Sequence, residues 1–461
     1  MFENGLFIFR RDLRIQDNIG LNLAVKECKN VHTIFIFTPE QVTNKNDFKS
    51  ENAIQFMIES LDDLASNINS HGGKLLLFYG ENESVISKYI KAHNIDALFF
   101  NSDITPYAIK RDKDIIKMCE KMKIPVPVFT SQDYYLYEPG SITTGGQVYS
   151  KFTPYYVKAI HVKVEHPVIL RSFNFIKVDD GTIDIRTAYF KFTTPNENIL
   201  VNGGREDGIK ILDSLGSPSF KKYNSTRNDL NFNTTHLSAY IKFGCVSVRE
   251  VFYSMKAKLG IKSGLIRQLI WREFYANILF GFPHVLKGAL REKYNKIQWH
   301  HNQGWLNAWK DGRTGFPIID AAMTELNVTG YMHNRGRLIV SSFLVKTLLI
   351  NWQYGEKYFA QKLNDYDPAS NNGNWQWIMG GGADSQPYYR IFNPWTQSKE
   401  HDPDCQYIKK WLPQLESVDS DHLHQWNEFY NEYPKLDYPK PIVDYSEQRE
   451  KALKMYNDAL H

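Results

Sequence analysis

At 461 residues, 42% hydrophobic and 23% charged, the chain is long enough for two or three domains and too apolar to be disordered as a whole. A formal net charge of +4 leaves no strongly basic tail, so any nucleic-acid surface must be a local patch. Cys28, Cys119, Cys245 and Cys405 stand alone, with no CxxC pair and no histidine at zinc spacing, which argues against a disulfide framework and against a metal site. Aromatic residues make up 14% of the chain, an excess that fits either a well-packed core or a ring-lined site for a flat cofactor or bases. The apolar stretch Leu338–Ile350 is interrupted by Ser341, Ser342 and Lys346 and is far too short to span a membrane. The N-terminus reaches Arg10 and Arg11 too soon for a signal peptide, so a soluble intracellular protein with no membrane partner is expected.

Short apolar runs alternate with amphipathic helices over residues 1–130, the pattern of a parallel, doubly wound α/β sheet. The expected strands are Leu6–Phe9, Val31–Phe37, Lys74–Tyr79, Ala97–Asn101 and Pro125–Phe129. The expected helices are Asn18–Cys28, Ser50–Ser70, Ser84–His93 and Pro106–Met122. No GxGxxG follows the first strand, which disfavours a dinucleotide-binding oxidoreductase. The charged run Arg10-Arg11-Asp12-Leu13-Arg14 that stands there instead reads first as a solvated loop. Periodicity fades over 131–205, where Pro139-Gly140, Gly145-Gly146 and Thr194-Pro195 predict a long irregular connector wrapped over another domain.

Helical patterns dominate 206–461. Ser247-Val248-Arg249-Glu250 is a capping box, and Leu265–Phe280 is an apolar helix stopped by Gly281. Further helices are expected at Phe316–Leu326, Met332–Leu349 and Glu356–Leu363, and Asp367-Pro368 reads as a cap opening another. Between these apolar helices lies the polar stretch Asn364–Pro394, with two carboxylates two residues apart, a run of amides, two tryptophans and three consecutive glycines. Such groups are costly to bury without partners, so they form either an interhelical hydrogen-bond network or the wall of a polar ligand site. Asp365 and Asp367 are too close together to flank a sugar as a glycosidase pair. His333-Asn334-Arg335-Gly336-Arg337 and Trp271-Arg272-Glu273-Phe274-Tyr275 place charge among apolar and aromatic residues. Snorkelling arginines explain the first as well as an Arg337–Asp365 pair does.

Taken in order, these stretches resemble the photolyase/cryptochrome family. The matches are Phe9–Arg14 with Asp17-Asn18, Tyr149–Tyr155, Leu269–Tyr275, Thr314–Met323, Met332–Arg337, Asp365–Trp377 with Arg390–Pro394, and Trp411–Pro413. The resemblance covers essentially the whole chain and is closest to the class I cyclobutane pyrimidine dimer photolyases. It implies a C-terminal helical FAD-binding domain behind the α/β domain. The implied activity is a carbon–carbon lyase: blue-light-driven repair of dimers in DNA by electron transfer from reduced FAD to a flipped-out dimer. A blue-light receptor of the cryptochrome type, or a photolyase for (6-4) photoproducts, is the alternative. The resemblance also implies a monomer whose partner is damaged DNA, placed wherever the DNA is.

By motif match, Tyr223, Thr234, Thr235, Leu237 and Ser238 should hold the FAD phosphates and ribose. Arg337 should pair with Asp365 against the isoalloxazine, Asp367 should accept from flavin N3–H, and Asn371 should face N5. Trp375, Trp352 and Trp299 match the family's electron path to the surface. Gln268 and Asn334 should meet the lesion. Trp271, Arg335, Trp377 and Arg390 should contact DNA, with Trp271 and Glu273 between flavin and DNA. This chain departs from the pattern at His236, where relatives often carry Arg or Lys, at Gln268, usually Glu, and at Leu338, usually Met. A second chromophore of folate or deazaflavin type would lie near Asn101–Tyr107, which lacks the Glu expected of folate binders.

Overall fold

The computed structural model describes residues Met1–His461. Its N-terminal part is built on strands β1 (Phe2–Phe9), β2 (Cys28–Phe37), β3 (Leu75–Tyr79), β4 (Ala97–Asn101) and β5 (Val128–Ser131). They form one parallel sheet in the order β3-β2-β1-β4-β5. Side chains alternate between two cores. Phe7, Phe9, Phe35, Leu77 and Phe99 enter one, while Leu6, Ile8, Ile34, Phe78 and Phe100 enter the other. Both faces are covered, which is why the strands read as unbroken apolar runs. β5 begins three residues later than expected. Pro125 and Pro127 have no N–H to give, and pairing with β4 starts at Leu98–Val128.

Helices Asn82–His93 and Pro106–Glu120 close the smaller core. The larger core has no boundary at the edge of the sheet. It continues through Tyr134–Tyr137, Phe152, Tyr155 and Phe192 into the helices carrying Val251, Phe252, Ile266 and Phe274. The connector is thus a packing layer, and it is more regular than its sequence suggests. Gly145 and Gly146, at φ +56° and +80°, turn a small hairpin between Thr143–Thr144 and Gln147–Val148. Helices form at Phe152–Ala159 and Ile185–Phe192. Each has only eight residues, too few for a periodic signal, and each is held by the rings it buries.

The charged loop after β1 is not solvated. Arg14 meets Asp133 at 2.6 Å, and Arg249 meets Asp133 at 2.7 Å and Asp17 at 3.0 Å, with all four side chains at most 5% exposed. Ser247 caps helix Val248–Leu259 through the expected box and also donates to Asp17. The loop is therefore the joint between the sheet and the helices.

Further on, caps set the helix bounds. His333 accepts from Arg335 N, so the next helix runs Asn334–Lys346 and begins two residues later than expected. Asn351 caps Trp352–Lys362, starting that helix one turn early. Asp367 caps Pro368–Met379, which ends on the left-handed Gly380.

Candidate functional site

Three helices turn mixed stripes toward one cavity. Residues three and four apart share a helix face, so Gly264–Gly281 contributes Gln268, Leu269 and Arg272. Asn334–Lys346 contributes Asn334, Arg337, Leu338 and Ser341, and Pro368–Met379 contributes Asn371, Asn374, Trp375 and Ile378. Thr235, Leu237, Ser238, Lys242, Tyr331, Asp365 and Asp367 complete much of the wall. About 1380 Å³ of space free of atoms lies inside, counting the open mouth.

Arg337 spans Asp365 with both terminal nitrogens, at 3.4 and 3.1 Å, and its Nε donates to the Met332 carbonyl at 2.8 Å. Burial works against the Arg337 cation, but Asp365 holds its pKa above the ordinary value. Burial alone would raise the Asp367 pKa. The charges of Arg11, Lys242 and Arg272, with the Ser370 N–H, instead hold it well below the usual carboxylate range. Asp367 is thus a fixed anion and acceptor at the cavity wall. Arg11 reaches it from the α/β domain at 3.4 Å and also pairs with Asp103 at 3.1 Å. Lys242, half-buried and beside Arg11, is pushed down by desolvation to about 8.

Asn371 donates its Nδ2 to the Glu356 carbonyl at 3.0 Å, which leaves Oδ1 as its free end. The Glu356 carboxylate accepts from Asn372 at 2.9 Å, and burial raises its pKa to about 7. Above them, Trp375 meets Phe359 and Trp309 edge-on at 5.0 and 6.2 Å. The helix that Trp352 opens lies directly on the Trp375 indole at Gly355. His300 pairs with Ile350 as an isolated bridge, which brings the Trp299 segment beside Trp352.

Of the residues singled out from sequence, Thr235, Leu237, Ser238, Gln268, Asn334, Arg337, Asp365, Asp367, Asn371 and Trp375 line this cavity. Thr234 stands behind it, 3.0 Å from the Tyr331 hydroxyl. Tyr223 lines a neighbouring groove with Lys221, Lys258 and Lys262. Trp352 is buried in the core beneath, and Trp299 packs edge-on against Tyr456 at 6.1 Å. Arg335 is engaged by Asn228 at 2.7 Å and Gln397 at 3.4 Å, while Arg390 is exposed and bonds Gln386.

Three of the singled-out residues lie off the cavity wall. Trp271 is not on the cavity wall but stacks on Phe152 of the connector at 3.6 Å and 5°. Glu273 is fully buried and accepts from the Leu136 N–H at 2.8 Å, so it holds the connector and does not line the cavity. Trp377 follows Trp375 by two residues, about 200° around the helix, and packs half-buried against a separate helical core that holds Trp309, Phe343 and Tyr456. Near Asn101–Tyr107, Asn101 is committed to Asp12 and Asn18, and Asp103 to Arg11.

Sequence reasoning missed Lys242 and Glu356. Lys242 follows Ser238 by four residues and so shares its face, a readable signal. Glu356 sits between Gly355 and Lys357 and reads as an ordinary surface residue.

The wall suits a flavin dinucleotide. Asp367 can accept from an imide N–H, and the Asn371 Oδ1 can accept from a ring N–H without titrating. Beside Thr235 and Ser238, the buried Nδ1 of His236 has no partner, on a residue held at φ +51°.

Comparison with known proteins agrees. Residues 6–168 match the family model described as DNA photolyase, and residues 265–458 match the FAD binding domain of DNA photolyase. A deoxyribodipyrimidine photo-lyase of Alkalihalophilus pseudofirmus is 35% identical over 97% of this chain and 96% of its own. A solved archaeal photolyase from Sulfolobus tokodaii with two FAD molecules is 38% identical, with a TM-score of 0.88 over 99% of this chain and all of its own. A class III photolyase from Agrobacterium tumefaciens reaches a TM-score of 0.91 at 29% identity, over 100% of this chain and 98% of its own. With the cavity's stripes and both halves matched in order, the chain belongs to the DNA photolyase family.

Proposed function

We propose that this chain binds FAD in the cavity and uses light to reverse cyclobutane pyrimidine dimers in DNA. The observation that carries the reading is that Asp367, held as an anion by Arg11, and the free Oδ1 of Asn371 face the same cavity from one end of one helix. Reduced FAD, when bound, supplies a light-excitable one-electron donor. The chain's own groups bind, orient and tune. Asp367 would accept a ring N–H, with Arg11 and Lys242 favouring its anionic form. Asn371 accepts a second N–H and, being an amide, never removes its proton. The Arg337–Asp365 pair would hold a cation beside the flavin ring, and Thr235, Ser238 and His236 would hold its phosphates and ribose. Trp375, Trp352 and Trp299 form the path by which electrons are drawn in from the surface.

At the mouth, Gln268, Asn334 and Leu338 meet the flipped lesion, and Arg335 and Arg390 hold the DNA backbone of a monomer's single site. None of Gln268, Asn334 and Leu338 is an acid. Moving an oxygen in a (6-4) photoproduct calls for a proton donor, whereas splitting a cyclobutane ring needs only an electron and its return. Residues 1–130 form the sheet region, 131–205 the connector and 206–461 the catalytic region. The test is to illuminate the reduced protein with two oligonucleotides, each carrying one lesion type. Thymines restored from the cyclobutane dimer are expected. Reversal of the (6-4) lesion with little action on the dimer would overturn the assignment.

A further inference from the structure

A surface groove with about 980 Å³ of space free of atoms, counting its open side, runs between the segment bearing Trp299 and the C-terminal helix Tyr445–Leu460. Three lysines, Lys296, Lys451 and Lys454, line it beside Gln298 and His300, against a single carboxylate, Asp458. Lys451 reaches Glu447 at 3.5 Å, whereas no ion pair engages Lys296 or Lys454. Along the extended segment, Gln298 and His300 face the groove. Side chains alternate there, so the Trp299 ring turns to the other side, against Tyr456, between two residues that line the groove. The half-buried indole offers bulk solvent little of its surface, so a reductant seated in the groove is closer to it than one passing by.

We infer that this groove receives a small anionic one-electron donor, of the thiolate or enediolate class, that refills Trp299. The inference rests on the tryptophan path proposed above. When Trp299 has passed one electron inward, the indole is a radical cation, or a neutral radical once its N–H proton has gone to water. The donor gives up one electron and becomes its own radical, and two thiyl radicals couple to a disulfide. The indole regains its electron and takes back from water any proton it lost. Cationic lysines raise the local concentration of the anion and hold it for the transfer.

The test uses the FAD-loaded protein and three thiols whose reacting thiolate forms differ in net charge: cysteamine at zero, mercaptoethanol at −1 and mercaptoacetate at −2. After a light flash, decay of the tryptophan radical absorption is compared per thiolate. The rate should rise about tenfold across the series at low salt and flatten at high salt. In Lys296→Gln/Lys454→Gln the spread should shrink to about twofold. Equal rates in the unmodified protein, or an unchanged spread in the variant, would overturn the inference. A second readout needs neither light-driven reduction nor a donor. Iodide should quench the part of the fluorescence that Trp299→Phe removes more weakly in the lysine variant, with neutral acrylamide unchanged; equal iodide quenching counts against the groove. If Trp299→Phe leaves light-driven reduction intact, the path itself is wrong, and the iodide result alone decides whether the groove concentrates anions.

Discussion

Two buried clusters of charge can be set side by side, the joint between sheet and helices and the wall of the cavity. At the joint both carboxylates are saturated. Asp133 accepts from Arg14, Arg249 and the Ile19 N–H, and Asp17 from Arg249, Ser247 and the Val168 N–H. At the cavity the ion pairs hold the frame, while Asn371 Oδ1 and His236 Nδ1 are left without partners. Both clusters are rich in Arg and Asp, so composition does not tell them apart. What separates them is the acceptors: at the joint every carboxylate oxygen is engaged and only the Arg14 Nε is left over, whereas at the cavity the Asn371 Oδ1 is open. An open acceptor that faces a cavity marks the second cluster as a binding site.

The sharpest way to break this contrast is Asp133→Ala. It strands Arg14 and Arg249 in a region at most 5% exposed, and breaking a buried network by removing one partner costs about 3–5 kcal/mol. Chemical denaturation should show that loss with and without flavin. A variant that merely loses flavin at unchanged stability would mean that the joint is part of the site.

Next in size is a pH effect within the cavity cluster. Burial raises the Glu356 carboxyl from its ordinary 4.5 to about 7, so the folded protein holds a proton that the unfolded chain has released. The sign follows. Its contribution is whole below about pH 4.5 and is lost as pH rises through about 7. Relative to Glu356→Gln, the unmodified protein should therefore lose stability from pH 4.5 to 8, by about 3 kcal/mol at most. Parallel stability–pH curves for the two proteins would show that the carboxyl is not held protonated.

Asp365→Ala removes the partner of Arg337. Arg337 is 26% exposed, so water softens the loss to about 2–3 kcal/mol, below that of the joint. Flavin retention through gel filtration and the melting temperature should both fall. If both stay at their original values, Arg337 and Asp365 do not frame the site.

How much of this was legible follows from the same contrast. The strands were readable because both faces of the sheet are buried, which leaves runs such as Phe7–Phe9 and Phe35–Phe37 without polar interruption. Helix starts were readable where a side chain caps them, as at Ser247 and Asp367. The loop Arg10–Arg14 was misread, because a charge buried in an ion pair and a charge in water are the same letter. In the site, Arg337, Asp365 and Asn371 stood out by motif. Glu356 did not, since its role depends on a neighbouring helix supplying Asn372. The connector helices were hidden because tertiary packing of Phe152 and Phe192, not propensity, holds them.

The smallest effect probes the contact between the frame and the tryptophan path. At Gly355 an added Cβ would lie 2.1 Å from Cη2 of Trp375 and 2.7 Å from Cδ2 of Leu344, so one of these side chains must move. Overpacking of this kind costs about 1–3 kcal/mol. Alanine also returns up to about 1 kcal/mol through its better helix propensity, since Gly355 lies inside helix Trp352–Lys362. Gly355→Ala should therefore destabilise the protein by only about 1–2 kcal/mol net. The displaced indole is the more telling readout. Light-driven reduction should slow, while repair by protein whose flavin was reduced chemically beforehand changes less, because the path serves reduction and the cavity serves repair. Equal slowing of both would place Trp375 in the repair step itself and erase the division between path and cavity.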